Sequence, residues 1–145
     1  MTGEQNTATI RRFITDVLNG DNLAALDELV AANYVDHALP PQMPPSRESM
    51  RRLLVMLRSV FPDIHYAVED VIAANDKVVV RFTRRGTQRA EFMGIAPSGK
   101  MAQWTGMDIF RLADGKIVEH WNNFDQLGML QRLGAELKLP EQQTI

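Results

Sequence analysis

Apolar residues recur at Ile10, Phe13, Ile14, Val17 and Leu18, the i, i+3, i+4, i+7 spacing that gives a helix one apolar face. This predicts a helix over residues 7–18, ended by Asn19-Gly20 because glycine accepts the left-handed conformation of a helix terminus. Asp21 is expected to cap a second helix running to about Val30, with Leu23, Leu26, Leu29 and Val30 on its buried side. Four prolines fall within residues 39–45; they remove four backbone donors and fix four φ angles, so the stretch is a loop, long enough for a pocket rim or lid. Ser46 opens a third helix with Met50, Leu53, Leu54 and Leu57 on one face, and Pro62 stops it.

The period then changes from helical to alternating. Residues 65–73 read as a strand, Asn75-Asp76 as a turn, and residues 77–83, with Val78, Val79, Val80 and Phe82, as a β-branched strand buried on at least one face. Residues 86–100 hold three glycines and one proline and read as a loop with a short strand inside. Two alternating runs, 101–112 and 116–125, flank Asp114-Gly115, a strong short signal for a hairpin. Residues 126–133 form a short closing helix ended by Gly134, and the tail after Pro140 is expected to fray. Helices followed by strands indicate an α+β fold and not a βαβ sheet: one domain over 1–145, with its core at about 7–134 and a tail at 135–145.

The hairpin allows a prediction of faces. With Asp114-Gly115 as a two-residue turn, strict pairing sets Leu112 opposite Ile117, Phe110 opposite Glu119, Asp108 opposite Trp121 and Trp104 opposite Asp125. Opposed residues share a face. Trp104, Asp108, Phe110, Glu119, Trp121, Asn123 and Asp125 would then point together into a pocket, since aromatic walls with a few converging polar groups characterise small-molecule sites. The other face carries Met107, Ile109, Arg111, His120, Asn122 and Phe124, and could be covered by a second copy of the chain. A β-bulge would shift this register by one residue.

Composition narrows the chemistry. A net charge of −2 with 23% charged residues gives no concentrated basic surface for nucleic acid. The absence of cysteine removes disulfides, thiolate nucleophiles and cysteine-ligated zinc. No histidine pair has metal-ligand spacing, so no metal is expected; His65 and His120 stand on strands without a partner. No Gly-x-Ser-x-Gly elbow or phosphate loop is present. The beginning of the chain lacks a signal-peptide pattern and no run of about 18 apolar residues occurs, so a cytoplasmic, membrane-free protein is expected. Arg81, Arg84, Arg85 and Arg89 read as a solvated edge and loop, with recognition of an anionic substrate group as the alternative.

Phe61-Pro62-Asp63, the run from Asp76 to Phe82, Gly86-Thr87-Gln88, the run from Glu91 to Lys100, and Asp114-Gly115-Lys116-Ile117-Val118-Glu119-His120-Trp121 continuing through Asp125-Gln126-Leu127-Gly128 to Gly134 together resemble the SnoaL-like polyketide cyclase (ester cyclase) family, of the nuclear-transport-factor-two-like superfamily. The resemblance extends from about Ile10 to Gly134. It implies a cone-shaped curved antiparallel sheet packed against N-terminal helices and enclosing a pocket. It also implies cofactor-independent aldol cyclisation or isomerisation of a carbonyl or ester substrate, with an aspartate after the last long strand as acid/base. The matching residue is Asp125. Gln88 stands where members often carry histidine, and His37 matches a histidine near the pocket mouth.

These readings give Asp125, His37 and Gln88 as catalytic candidates. Among apolar walls Asp125 would lose hydration and become a stronger base, although it is equally placed to cap the helix at Gln126. His37 would donate to a substrate oxygen, and Gln88 or Asn123 would stabilise an oxyanion. Trp104, Trp121, Asn123, Asp108, Phe82 and Tyr34 are the expected substrate contacts. No cofactor is expected; the partners are a small apolar or aromatic molecule and a second subunit in a homodimer. The alternatives are a non-catalytic binding protein with the same pocket, or an epoxide hydrolase or isomerase in which Asp108 or Glu119 joins Asp125 around one water.

Overall fold

A computed structural model describes residues 2–140; the expected fraying after Pro140 lies outside the described residues. Helix α1 (Gly3–Arg12) starts at a capping box in which the Thr2 hydroxyl accepts from Gln5 N and the Gln5 side chain returns to Thr2 N, satisfying two orphan donors of the first turn. It runs directly into a π-helical turn, Phe13–Asn19, whose wider winding keeps Phe13, Ile14, Val17 and Leu18 buried. Gly20 follows it in the right-handed region, φ −87°, and not in the expected left-handed conformation, which Asp21 takes instead at φ 53°; glycine is required there because a Cβ would stand 2.6 Å from Asp16 O. Asn22, rather than Asp21, caps α2 (Leu23–Leu29), accepting from Ala25 N at 3.3 Å. Helix α3 (Arg47–Val60) begins at Ser46 as expected.

The sheet holds β1 (Val30–Asp36), β2 (His65–Ala74), β3 (Lys77–Thr87), β4 (Met101–Ala113) and β5 (Lys116–Phe124) in the order β1-β5-β4-β3-β2. The last four form the antiparallel meander expected from the turns. Strand β1 was not foreseen; it docks parallel to β5 at the sheet edge, so the sheet is mixed. Ile10, Phe13, Leu26, Val30, Val78, Val80, Phe110, Leu112 and Ile117 belong to one buried cluster between helices and sheet. Helix α4 (Gln126–Arg132) lies against β4. Fold and chain order make this an α+β cone. No helix among the described residues is long and apolar enough to cross a membrane.

The β4–β5 register corrects the expected faces. Asp114 and Gly115 both have positive φ, 52° and 77°, the primed turn whose twist suits a hairpin. Ala113 pairs with Lys116 and Leu112 with Ile117, but Arg111 then pairs with Glu119. Val118 is the extra residue of a β-bulge, and every later residue of β5 is displaced by one position relative to strict alternation. Asp108 therefore faces Asn122, Phe110 faces His120, and Trp121 faces Ile109. The two tryptophans do not share a face: Trp104 is buried on the concave side, while Glu119, Trp121 and Asn123 lie on the convex side with Met107 and Ile109. A second bulge at Glu69 interrupts the β2–β3 pairing.

Candidate functional site

Alternation along β1 turns Tyr34 and Asp36 to the same, buried side, at 3% and 4% exposure. Parallel pairing sets Asp36 beside His120 of β5, and the bulge turns His120 and Asn122 inward to meet Asp108 of β4. The groups form one chain. The Tyr34 hydroxyl donates to Asp36 Oδ2 at 2.6 Å. Asp36 Oδ1 lies 3.1 Å from His120 Nδ1, and His120 Nε2 lies 2.7 Å from Asp108 Oδ1. Asn122 Nδ2 donates to the same Asp108 oxygen at 2.7 Å, and the Tyr66 hydroxyl reaches Asp108 Oδ2 at 2.7 Å. Phe110 stacks on the imidazole with ring centroids 4.8 Å apart, and Phe82 stacks on Tyr66 at 4.6 Å.

Burying two carboxylates is costly unless charge and hydrogen bonds compensate. Burial alone would lower the basicity of His120, but hydrogen bonds and charge from Asp108 and Asp36 outweigh it and push its pKa up to about 9. The ring is therefore an imidazolium at neutral pH, donating one N–H to each carboxylate. Burial likewise pushes Asp36 and Asp108 up, yet both end below the usual carboxylate range. His120 and Tyr34 hold Asp36 ionised; His120, Tyr66 and Asn122 hold Asp108. Burial and the neighbouring carboxylates drive the Tyr34 and Tyr66 phenols far up, so both remain donors. Among the described residues no three acidic or imidazole groups converge as metal ligands would; the two carboxylates sit on opposite nitrogens of one ring.

The structure distributes the expected residues over four places. Tyr34, Phe82, Trp104 and Asp108 are inside the cone. His37, Trp121 and Asn123 are outside it: His37 pairs with Glu119 at 2.7 Å and stacks on Trp121 at 5.0 Å, while Glu119 also pairs with Arg111 at 2.7 Å. Gln88 is fully buried under its own loop. Its amide donates to the Ala90 and Ile95 carbonyls and accepts from Ser98 N and Oγ. It thereby anchors residues 88–100, in which the expected short strand is a single bridge between Phe92 and Ile95. Asp125 accepts from Gly128 N at 2.9 Å as the cap of α4, with its side chain 49% exposed.

Sequence reasoning missed Asp36, Tyr66, Arg84 and His120 as interior groups. Arg84 continues the Val80, Phe82 alternation inward, whereas Asp36 stands on a strand that only its pairing with β5 defines. Two concavities among the described residues open outside the cone, and Asp125 lines both. One of about 430 Å³ lies on the convex face and is lined by Met107, Ile109, Trp121, Asn123 and Phe124 among others; the second lies beside α4.

A family model described as SnoaL-like polyketide cyclase matches residues 8–133. Among solved structures, IdmH from Streptomyces antibioticus, a candidate polyketide cyclase, is 33% identical with a TM-score of 0.80, over 90% of this chain and 99% of that one. AclR from Streptomyces galilaeus, a candidate hydroxylase, is 28% identical with a TM-score of 0.82, over 96% and 100%. TsrD from Streptomyces laurentii is 26% identical with a TM-score of 0.85, over 94% and 99%. No curated protein sequence matches the chain closely enough to count.

Proposed function

The chain belongs to the SnoaL-like polyketide cyclase family, and from that premise we propose that it is a cofactor-independent acid/base catalyst of the cyclase or isomerase type, acting on a small, mostly apolar carbonyl or ester substrate. Family and neighbours support the general type of role. The observation that carries the mechanism is the buried Asp36–His120–Asp108 chain on the concave face. With both carboxylates ionised and the imidazole protonated, the chain has a net charge of −1. A proton taken from a carbon next to a carbonyl neutralises it. The titration belongs to the three groups together and not to one residue. Asp108, held ionised by its donors, becomes a stronger base as Tyr66 and Asn122 leave it; it receives the proton while those two donors turn to the enolate oxygen. Phe82 and Trp104 supply the apolar wall. This moves the acid/base role from Asp125, which meets solvent and caps a helix, to Asp108.

The test is α-proton exchange into D2O on a panel of aryl ketones and their esters, followed by NMR. Asp108→Asn should lower exchange at least ~100-fold, the low end of a general base's contribution, while Asp125→Asn stays within about threefold of wild type. Full activity in Asp108→Asn would end this assignment.

One observation favours a second reading, a non-catalytic binding protein: every polar atom of Asp36, His120 and Asp108 already has a partner within the chain. Tight ligand binding without any exchange in wild type would establish it. The reading also includes a cytoplasmic homodimer joined across the convex face. Met107 and Phe124 are 55% and 40% exposed there, and apolar area of this kind favours association. Light scattering should give twice the chain mass, and Met107→Glu should give the single-chain mass.

A further inference from the structure

Four arginines cluster in the sequence, and the fold sends them to two environments. Arg81, Arg85 and Arg89 are exposed, and Arg81 pairs with Asp70 at 2.7 Å. Arg84 lies on the concave face with Phe82 and Val80, between Tyr66 of β2 and Trp104 of β4. Its guanidinium carbon is 5.5 Å from the centre of the Tyr66 ring. Among the described residues, none of its N–H groups reaches an acceptor: Nε is sealed from solvent and unpaired, and no carboxylate lies within ion-pair distance. Asp108 is near enough for its charge to be felt, but its oxygens are taken by Tyr66, His120 and Asn122.

Arg84 is half-buried: its Nε is sealed without an acceptor, which is costly, while its two terminal nitrogens reach solvent unpaired, and a planar fork of donors matches a carboxylate better than any neutral oxygen. The tyrosine beneath it orients the fork, and the aromatic rings of Phe82 and Trp104 stand beside it. We propose that Arg84 is a carboxylate-binding subsite: the substrate of this interior is an aromatic or polycyclic acid whose carboxylate is held by Arg84, with its reacting carbonyl toward Tyr66 and Asp108. This rests on the reading of the concave face as the site, and it adds a free acid to the substrate class.

The probes are 2-naphthoate and methyl 2-naphthoate, equal in ring and different in charge, titrated calorimetrically against the whole protein at pH 7. Wild type should bind the acid at least tenfold more tightly than the ester. Arg84→Met should erase that preference and leave ester binding unchanged, while Arg84→Lys keeps part of it. The ligand-free melting temperature of Arg84→Met should stay level or rise, because a sealed donor without an acceptor is removed. Equal affinity for acid and ester in wild type, or an undiminished preference in Arg84→Met, overturns the subsite; so does a lower melting temperature with the preference retained. Asp108→Asn separates the two claims, because it should stop exchange yet keep the preference for the acid.

Discussion

Stability should fall steeply as pH rises from 6.5 to 9, and His120 is the cause. Its folded-state pKa, about 9, stands above the ordinary value of 6.5. A group whose pKa is raised by folding contributes stability that is complete below its unfolded value and lost as pH climbs through its folded value. At ~1.4 kcal/mol per pH unit, the interval from 6.5 to about 9 corresponds to about 3 kcal/mol, a large share of a typical domain's stability. Asp36 and Asp108 act in the opposite sense: their contribution is present above the usual carboxylate range and disappears on acidification, well below this window. The assay is urea unfolding at pH 6, 7.5, 9 and 10. With a urea m-value near ~2 kcal/mol/M, the midpoint should drop by about 1.5 M between the first and last buffers. NMR titration of the imidazole should place its midpoint near 9. In His120→Gln the slope over this window should vanish. A wild-type midpoint that is flat from pH 6.5 to 9, or an imidazole that titrates below 7, would refute the charged triad.

Gln88→Ala should cost about 2–4 kcal/mol, because it removes a fully buried amide and strands four half-buried partners; urea unfolding measures the loss, and hydrogen exchange should rise first in residues 88–100. Gly106→Ala should destabilise by about 1–3 kcal/mol, since the new Cβ would meet Phe82 Cζ at 2.6 Å and Asn123 O at 2.7 Å; the same assay checks it. Asp125→Ala should lose about 1 kcal/mol through the α4 cap, recovered in Asp125→Asn, and a loss equal in both variants would contradict a capping role.

The fold was legible because its signals are local. Period, prolines, Ser46 and the Asp114-Gly115 turn each act within a few residues, and together they place α3, β3, β4 and the hairpin. Strand β1 was not legible, because its short run only makes sense once β5 offers a parallel edge. The site depended on long-range facts. Asp36 and His120 are 84 positions apart, and neither has a neighbour in sequence that hints at the other. Strict alternation gave the right face for Trp104 and Asp108 on β4, but it failed on β5 beyond Ile117, where one unpaired residue outweighs any hydrophobic pattern. Asp125 was ambiguous for a different reason: an aspartate before a helix can cap it whatever else it does, and here its exposure agrees with the cap.

That unpaired residue also says how such a scaffold can change its chemistry. Val118 works like an extra link in a bicycle chain, deciding which teeth engage. Delete it, and a lining of indole, amide and glutamate would swing inward while the imidazole swung out to the solvent. Relatives sharing this cone need not exchange catalytic groups one at a time; a single-codon insertion or deletion near the hairpin could swap the whole set.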